Sequence, residues 1–181
     1  MTHFALNNLN YDEDNLKNIY ENMAWPGTWK QYGEIALSSV YVERVQAEQI
    51  SDVLSNFRSD IVDTNNINFQ KILAGGVTQA HTDTRRVAIL IPVIYDSRHY
   101  MNIHTDTTFE GSNDKLGIKI YTGNISDTIS VTYPYVLNTK TPYSYSIDSA
   151  LNSICLSLGV NDEYNNFEKI KEMYENNELF V

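Results

Sequence analysis

The chain runs Ala74-Gly75-Gly76-Val77-Thr78-Gln79-Ala80-His81-Thr82-Asp83-Thr84-Arg85-Arg86 and then, without a break, Val87-Ala88-Ile89-Leu90-Ile91-Pro92-Val93-Ile94. A glycine-led polar segment thus feeds the most apolar run in the protein. Eight apolar and β-branched residues in a row read as a strand. The run is also far short of the twenty or so residues a membrane-spanning helix needs.

Downstream, the texture stays β. Short β-branched and aromatic runs alternate with clusters of Gly, Asn, Asp and Ser about every ten residues. Strands are expected at residues 68–73, 86–95, 100–105, 117–121, 130–132, 135–138, 143–147 and 153–158. Eight strands suffice for a double-sheet roll or sandwich. Upstream, Leu16, Ile19, Tyr20 and Met23 set an apolar stripe on a helix over 13–23, which Pro26 and Gly27 stop; Trp25 and Trp29 flank that turn as packing residues. Ile50, Val53, Leu54, Phe57 and Ile61 predict an amphipathic helix over 47–61 that lies against a sheet. Phe167, Ile170, Lys171, Met173 and Tyr174 predict a closing helix over 163–176. The organisation expected is one mainly β (α+β) domain: flanking elements over 1–66, a β core over 67–160 and a C-terminal helix over 161–181.

Composition narrows the partners. Thirteen basic against twenty-three acidic side chains give a formal charge of −10, the wrong sign for displacing counterions from a phosphate backbone, so nucleic acid is not expected. The N-terminal residues show no basic leader or apolar core, so a cytoplasmic location with no membrane contact is expected. The single cysteine, Cys155, has no partner for an internal disulfide and sits in Ile154-Cys155-Leu156 as a small apolar residue. Zinc-type cysteine spacing, a phosphate-cradling glycine loop and a nucleophile elbow are all missing from the sequence.

The chemistry-bearing residues are His81 and Asp83. Two positions apart at the mouth of a strand, they project to the same face, where an imidazole nitrogen and a carboxylate oxygen can converge on one cation. Non-haem Fe(II) oxygenases hold iron with two histidines and one carboxylate on one octahedral face. The plainer alternative is a surface loop in which Asp83 caps a turn and His81 is solvated.

Around His81-x-Asp83, the order of Gln70-Lys71-Ile72-Leu73-Ala74-Gly75-Gly76, the strand from Arg86 to Val93, Pro134-Tyr135-Val136-Leu137-Asn138-Thr139-Lys140 and Ile154-Cys155-Leu156-Ser157-Leu158-Gly159-Val160 resembles a known family. It is similar to the 2-oxoglutarate and Fe(II)-dependent oxygenases, particularly small phage and marine microbial members that look like prolyl or aspartyl/asparaginyl hydroxylases. The resemblance implies a double-stranded β-helix, a jelly-roll or cupin-like barrel, over about 67–160. It assigns His81 and Asp83 to iron. Two positions depart from the pattern: Tyr143 stands where the third iron ligand, a histidine, is expected, and Ser153 where an arginine would clamp the far carboxylate of 2-oxoglutarate. A neutral phenol is a poor Fe(II) ligand, and a hydroxyl cannot supply the paired, charge-assisted contact of a guanidinium.

A replacement ligand is then needed. His104 is one candidate for it and Tyr143 itself another; Arg85, Arg86, Lys119, Tyr121 and Ser153 are candidates for contacting a co-substrate anion. Three functions remain open: an Fe(II)/2-oxoglutarate oxygenase hydroxylating an amino-acid or peptide side chain; a degenerate barrel serving as a binding or scaffold module; and a cupin-like metal enzyme without 2-oxoglutarate, completed by His104. The partner expected in each case is a small molecule or a peptide.

Overall fold

Val87–Ile94 is the strand its composition demands, and every residue of it but Ile94 is buried. A computed structural model describes residues 1–22, 30–31, 40–113 and 117–181. Met23, Trp25, Pro26, Gly27, Trp29 and Lys115 lie outside the described residues. In chain order the strands are β1 (His3–Ala5), β2 (Lys30–Gln31), β3 (Val40–Arg44), β4 (Val62–Ile72), β5 (Ala80–Thr82), β6 (Val87–Ile94), β7 (His99–Asn113), β8 (Ile118–Ser130), β9 (Tyr135–Asn138), β10 (Tyr143–Ile147) and β11 (Ser153–Val160). The helices are α1 (Glu13–Asn22), α2 (Ser51–Leu54) and α3 (Phe167–Glu175).

Two antiparallel sheets face each other. The larger has the order β1-β9-β6-β11-β4-β3-β2, and the smaller joins β10, β5, β8 and β7 in a closed ring of pairings. Side chains alternate between the faces of the large sheet. Ile67, Phe69, Ile89, Ile91, Leu156 and Leu158 point outward and pack with Leu16, Val53 and Ile170 of the helices. Ala88, Leu90, Tyr135 and Leu137 point inward and pack with Met101, Ile103, Tyr143 and Tyr145 of the small sheet. Each fully buried side chain of this size contributes roughly 1.5–3 kcal/mol. β6 is apolar throughout because both layers bury it. Its Pro92 is tolerated because β9 pairs only with Val87 to Leu90, and the register against β11 shifts at Cys155, the partner of Pro92.

Three expectations are corrected. The helix expected over 47–61 is a 3-10 turn, Ala47–Ile50, followed by α2, which ends at Leu54. The Ser55 hydroxyl and the Asn56 amide both donate to the Asp52 carbonyl, and Asn56 also donates to that of Val53, so the acceptors the next helical turn would use are already taken. Phe57 and Ile61 are still buried, but from turns. Residues 106–113, between the strands expected over 100–105 and 117–121, extend β7 into a long hairpin with β8, and of the strand expected over 130–132 only Ser130 is in a strand, as the last residue of β8. That register shifts three times, and Asp106, at φ 50°, sits in one shift. Last, β4 starts at Val62, six residues before the expected strand.

Candidate functional site

The segment before β5 is tied down by backbone bonds. Thr78 N–H donates to the Tyr145 carbonyl at 2.9 Å, and Tyr145 N–H donates to the Thr78 hydroxyl at 2.8 Å. His81 therefore enters the inter-sheet space directly opposite Tyr143 of β10 and Ile120 of β8. It is 4% exposed. Its Nδ1–H donates to the Gln79 carbonyl at 2.8 Å, an assignment made from the partner, and this leaves the Nε2 lone pair for the cavity. Burial lowers the His81 pKa, against the Gln79 carbonyl and the Asp83 charge, which favour the imidazolium. The ring is neutral near pH 7.

Asp83 follows on a loop held by the 138–140 turn: its N–H donates to the Thr139 carbonyl at 3.1 Å, and Lys140 Nζ donates to the Asp83 and Thr84 carbonyls. Its carboxylate is already engaged. Arg85 Nε and Nη2 both donate to Oδ2, at 2.9 and 2.6 Å, while the Thr84 hydroxyl donates to Oδ1 at 3.0 Å. The third guanidinium nitrogen, Nη1, donates to Oγ of the fully buried Ser157 on β11 at 2.9 Å. Burial pushes the Asp83 pKa up, but the Arg85 charge and hydrogen bonds outweigh it and hold the carboxyl below its usual range. The ion pair, with side chains only 12% and 15% exposed, is largely withdrawn from solvent.

His81, Asp83 and Arg85 line a cavity of about 120 Å³ between the sheets. Tyr143 and Tyr145 form one wall, their rings at 83° and 5.8 Å; Val40, Val42 and Ile118 supply apolar surface. The opposite wall carries three carboxamides that the sequence reading missed: Asn66, Asn68 and Gln70, alternate residues of β4. The signal was available, because polar side chains at i, i+2 and i+4 alternate there with the buried Ile67 and Phe69, which marks a second, polar face turned toward something other than the core. Among the described residues the three amides have no hydrogen-bond partner. Asn66 lies over Gly159, where a Cβ would come within 2.8 Å of its side chain.

The other sequence-derived candidates scatter. His104 is on β7 next to Ile103, which pairs with Tyr143, so His104 faces away from His81; its Nε2 is 2.8 Å from Ser144 Oγ. It lines a separate hollow of about 490 Å³ together with Tyr121. Its expected place beside His81 is thus corrected by strand alternation. Arg86 is exposed, and Lys119 is exposed on the face opposite His81, paired with Thr82. Ser153 lies among Gln70, Tyr135 and Tyr145 in a space of only about 10 Å³. Of the anion-clamp candidates only Arg85 reaches the cavity.

The donor set does not fit the iron site the resemblance implies. Among the described residues no three His, Cys, Asp or Glu side chains converge as a metal site. His81 has one free nitrogen, Asp83 is held by a guanidinium, and a phenol stands at the third position.

No family model matches the chain, and no curated protein matches it in sequence. Its likeness is to solved structures. A prolyl hydroxylase from Trichoplax adhaerens, in complex with a hypoxia inducible factor peptide, aligns over 91% of this chain and 85% of its own at 10% identity, with a TM-score of 0.51. Escherichia coli ycfD aligns over 97% of this chain and 53% of its own at 14% identity, also with a TM-score of 0.51. The fold is a cupin-like jelly roll. Vicilin from Capsicum annuum matches more loosely, at a TM-score of 0.41 and 11% identity; 76% of this chain covers 31% of it, so the chain spans about a third of that protein's length. As for membranes, no helix of the described residues is long and apolar enough to cross one.

Proposed function

We propose that this chain is a cupin-fold binding module that takes a small polar ligand in the cavity around His81, Asp83 and Arg85. The observation that carries the reading is the fork of Arg85 on Asp83 Oδ2. A divalent cation at that oxygen would have to displace a guanidinium bonded in a largely dry site and break a mostly buried ion pair, at a cost of several kcal/mol. Ser153, where the oxygenase resemblance puts a co-substrate clamp, adjoins too little space for a dicarboxylate. A ligand that uses the existing polar wall needs no such rearrangement.

The oxygenase reading keeps one observation in its favour: the Nδ1–H bond to Gln79 presents His81 Nε2 as a ready ligand atom. One experiment separates the two. Purified protein is titrated anaerobically with Fe(II), then assayed with 2-oxoglutarate and oxygen for co-substrate consumption. The binding-module reading expects no metal affinity tighter than about 10 μM and no turnover above a His81→Ala control. Turnover that is lost in that control would overturn it.

A further inference from the structure

We infer that the ligand of this cavity is a neutral polyhydroxylated molecule, a sugar ring or the terminal unit of a neutral glycan. The inference rests on the binding-module reading and adds the ligand class. Charge is the first argument. Asp83 and Arg85 pair at 2.6 Å, and among the described residues no other charged side chain lines the cavity. A dianion would enter with no uncompensated cation to meet it, and an organic cation with no free carboxylate.

Hydrogen-bonding character is the second. Asn66, Asn68 and Gln70 present a carbonyl acceptor and an NH₂ donor each, and His81 adds an acceptor nitrogen. Vicinal hydroxyls, each both donor and acceptor, match carboxamides in either orientation. A ligand that only accepts or only donates would leave half of every amide unpaired, and unpaired polar groups in a closed site are costly. The chain also makes room for this wall, since Gly159 is the one residue type that accommodates Asn66 where it lies.

Shape is the third. About 120 Å³ corresponds to roughly four water volumes, enough for much of one ring but not for a chain passing through. The apolar face of a ring has the Tyr143 and Tyr145 wall to lie on. At the other end the cavity shares Val42, Asn66 and Asn68 with an adjoining groove of about 330 Å³ that runs to Glu43 and Arg44. A glycan entering by its terminal unit would leave along that groove.

The test is ligand-observed NMR and calorimetry on the full chain. The probes are glucose, galactose and mannose, their uronates, succinate, and neutral trisaccharides ending in each hexose. A neutral hexose should bind at least ten times more tightly than its uronate or succinate. Asn68→Ala and Gln70→Ala should each weaken it about five- to tenfold, with melting temperatures checked to exclude misfolding. Gly159→Ala should weaken it through Asn66. A trisaccharide binding better than its terminal hexose identifies a glycan; equal binding identifies a free sugar. Preference for the uronate or succinate, or no neutral sugar bound at about 10 mM, would overturn the sugar assignment. Those outcomes leave the binding-module reading standing, which falls instead to iron affinity tighter than about 10 μM or to iron-dependent turnover, either of them lost in His81→Ala.

Discussion

Tyr143 faces His81 across a single strand pair, with ring centroids 4.5 Å apart and planes tilted by 49°. Directly opposed residues of antiparallel strands keep their Cβ atoms about 4.5–5.5 Å apart, which is the reach at which two side chains can chelate one ion. What separates this site from a metal centre is therefore side-chain chemistry, not backbone placement.

Restoring an imidazole should show this. Tyr143→His is expected to bring Ni(II) or Co(II) affinity into the micromolar range, at least tenfold above the unaltered chain, as read by calorimetry. If metal affinity does not rise, strand opposition does not set the ligand geometry.

The ion pair between Asp83 and Arg85 should be costly to halve and cheap to remove whole. Arg85→Met leaves the carboxylate largely buried without its partner and should cost about 3 kcal/mol in urea unfolding, whereas Asp83→Asn combined with Arg85→Met should recover most of that loss. Additive losses would mean that the two side chains act independently.

Acid should destabilise the fold in two stages. Burial lowers the pKa of His99, although Asp96 raises it, and neither ring nitrogen makes a well-formed hydrogen bond among the described residues. Burial likewise lowers His81. A histidine whose folded pKa lies below its unfolded value of about 6.5 contributes its full stability above that pH and loses it as pH falls toward the folded value. Asp83 and Asp96 are held below the ordinary carboxylate range, so their contributions fade only below about pH 4. Unfolding free energy should then decline as pH falls below about 6.5 and again below about 4. The first decline should shrink in His99→Leu; an unchanged slope would remove His99 from the account.

Gly117 adopts φ +65°, and a Cβ there would overlap Thr84 Cγ2. Gly117→Ala should cost about 1–3 kcal/mol through backbone strain and contact together. The displaced Thr84 would weaken its bond to Asp83 Oδ1, which an upward move of the Asp83 pKa in NMR titration would reveal. Thermal melts equal to those of the unaltered chain would contradict the strain argument.

Periodicity and composition were enough to determine the layers. The unbroken apolar run Val87–Ile94 marked a strand, and Phe167, Ile170 and Met173 marked a helix at the far end; that both layers bury the strand is a property of the closed fold. Local spacing also placed His81 and Asp83 on one side of a strand mouth, because side-chain direction along a strand has a period of two whatever the fold. It could not say which strands lie beside them. Strand pairing across distant segments set Tyr143 opposite His81, turned His104 to the other face and lined up Asn66, Asn68 and Gln70 across the cavity. Those relations come from register between residues as distant in sequence as His81 and Tyr143, and register is chosen by the burial of whole faces, a quantity that exists only once the sheets have closed on each other.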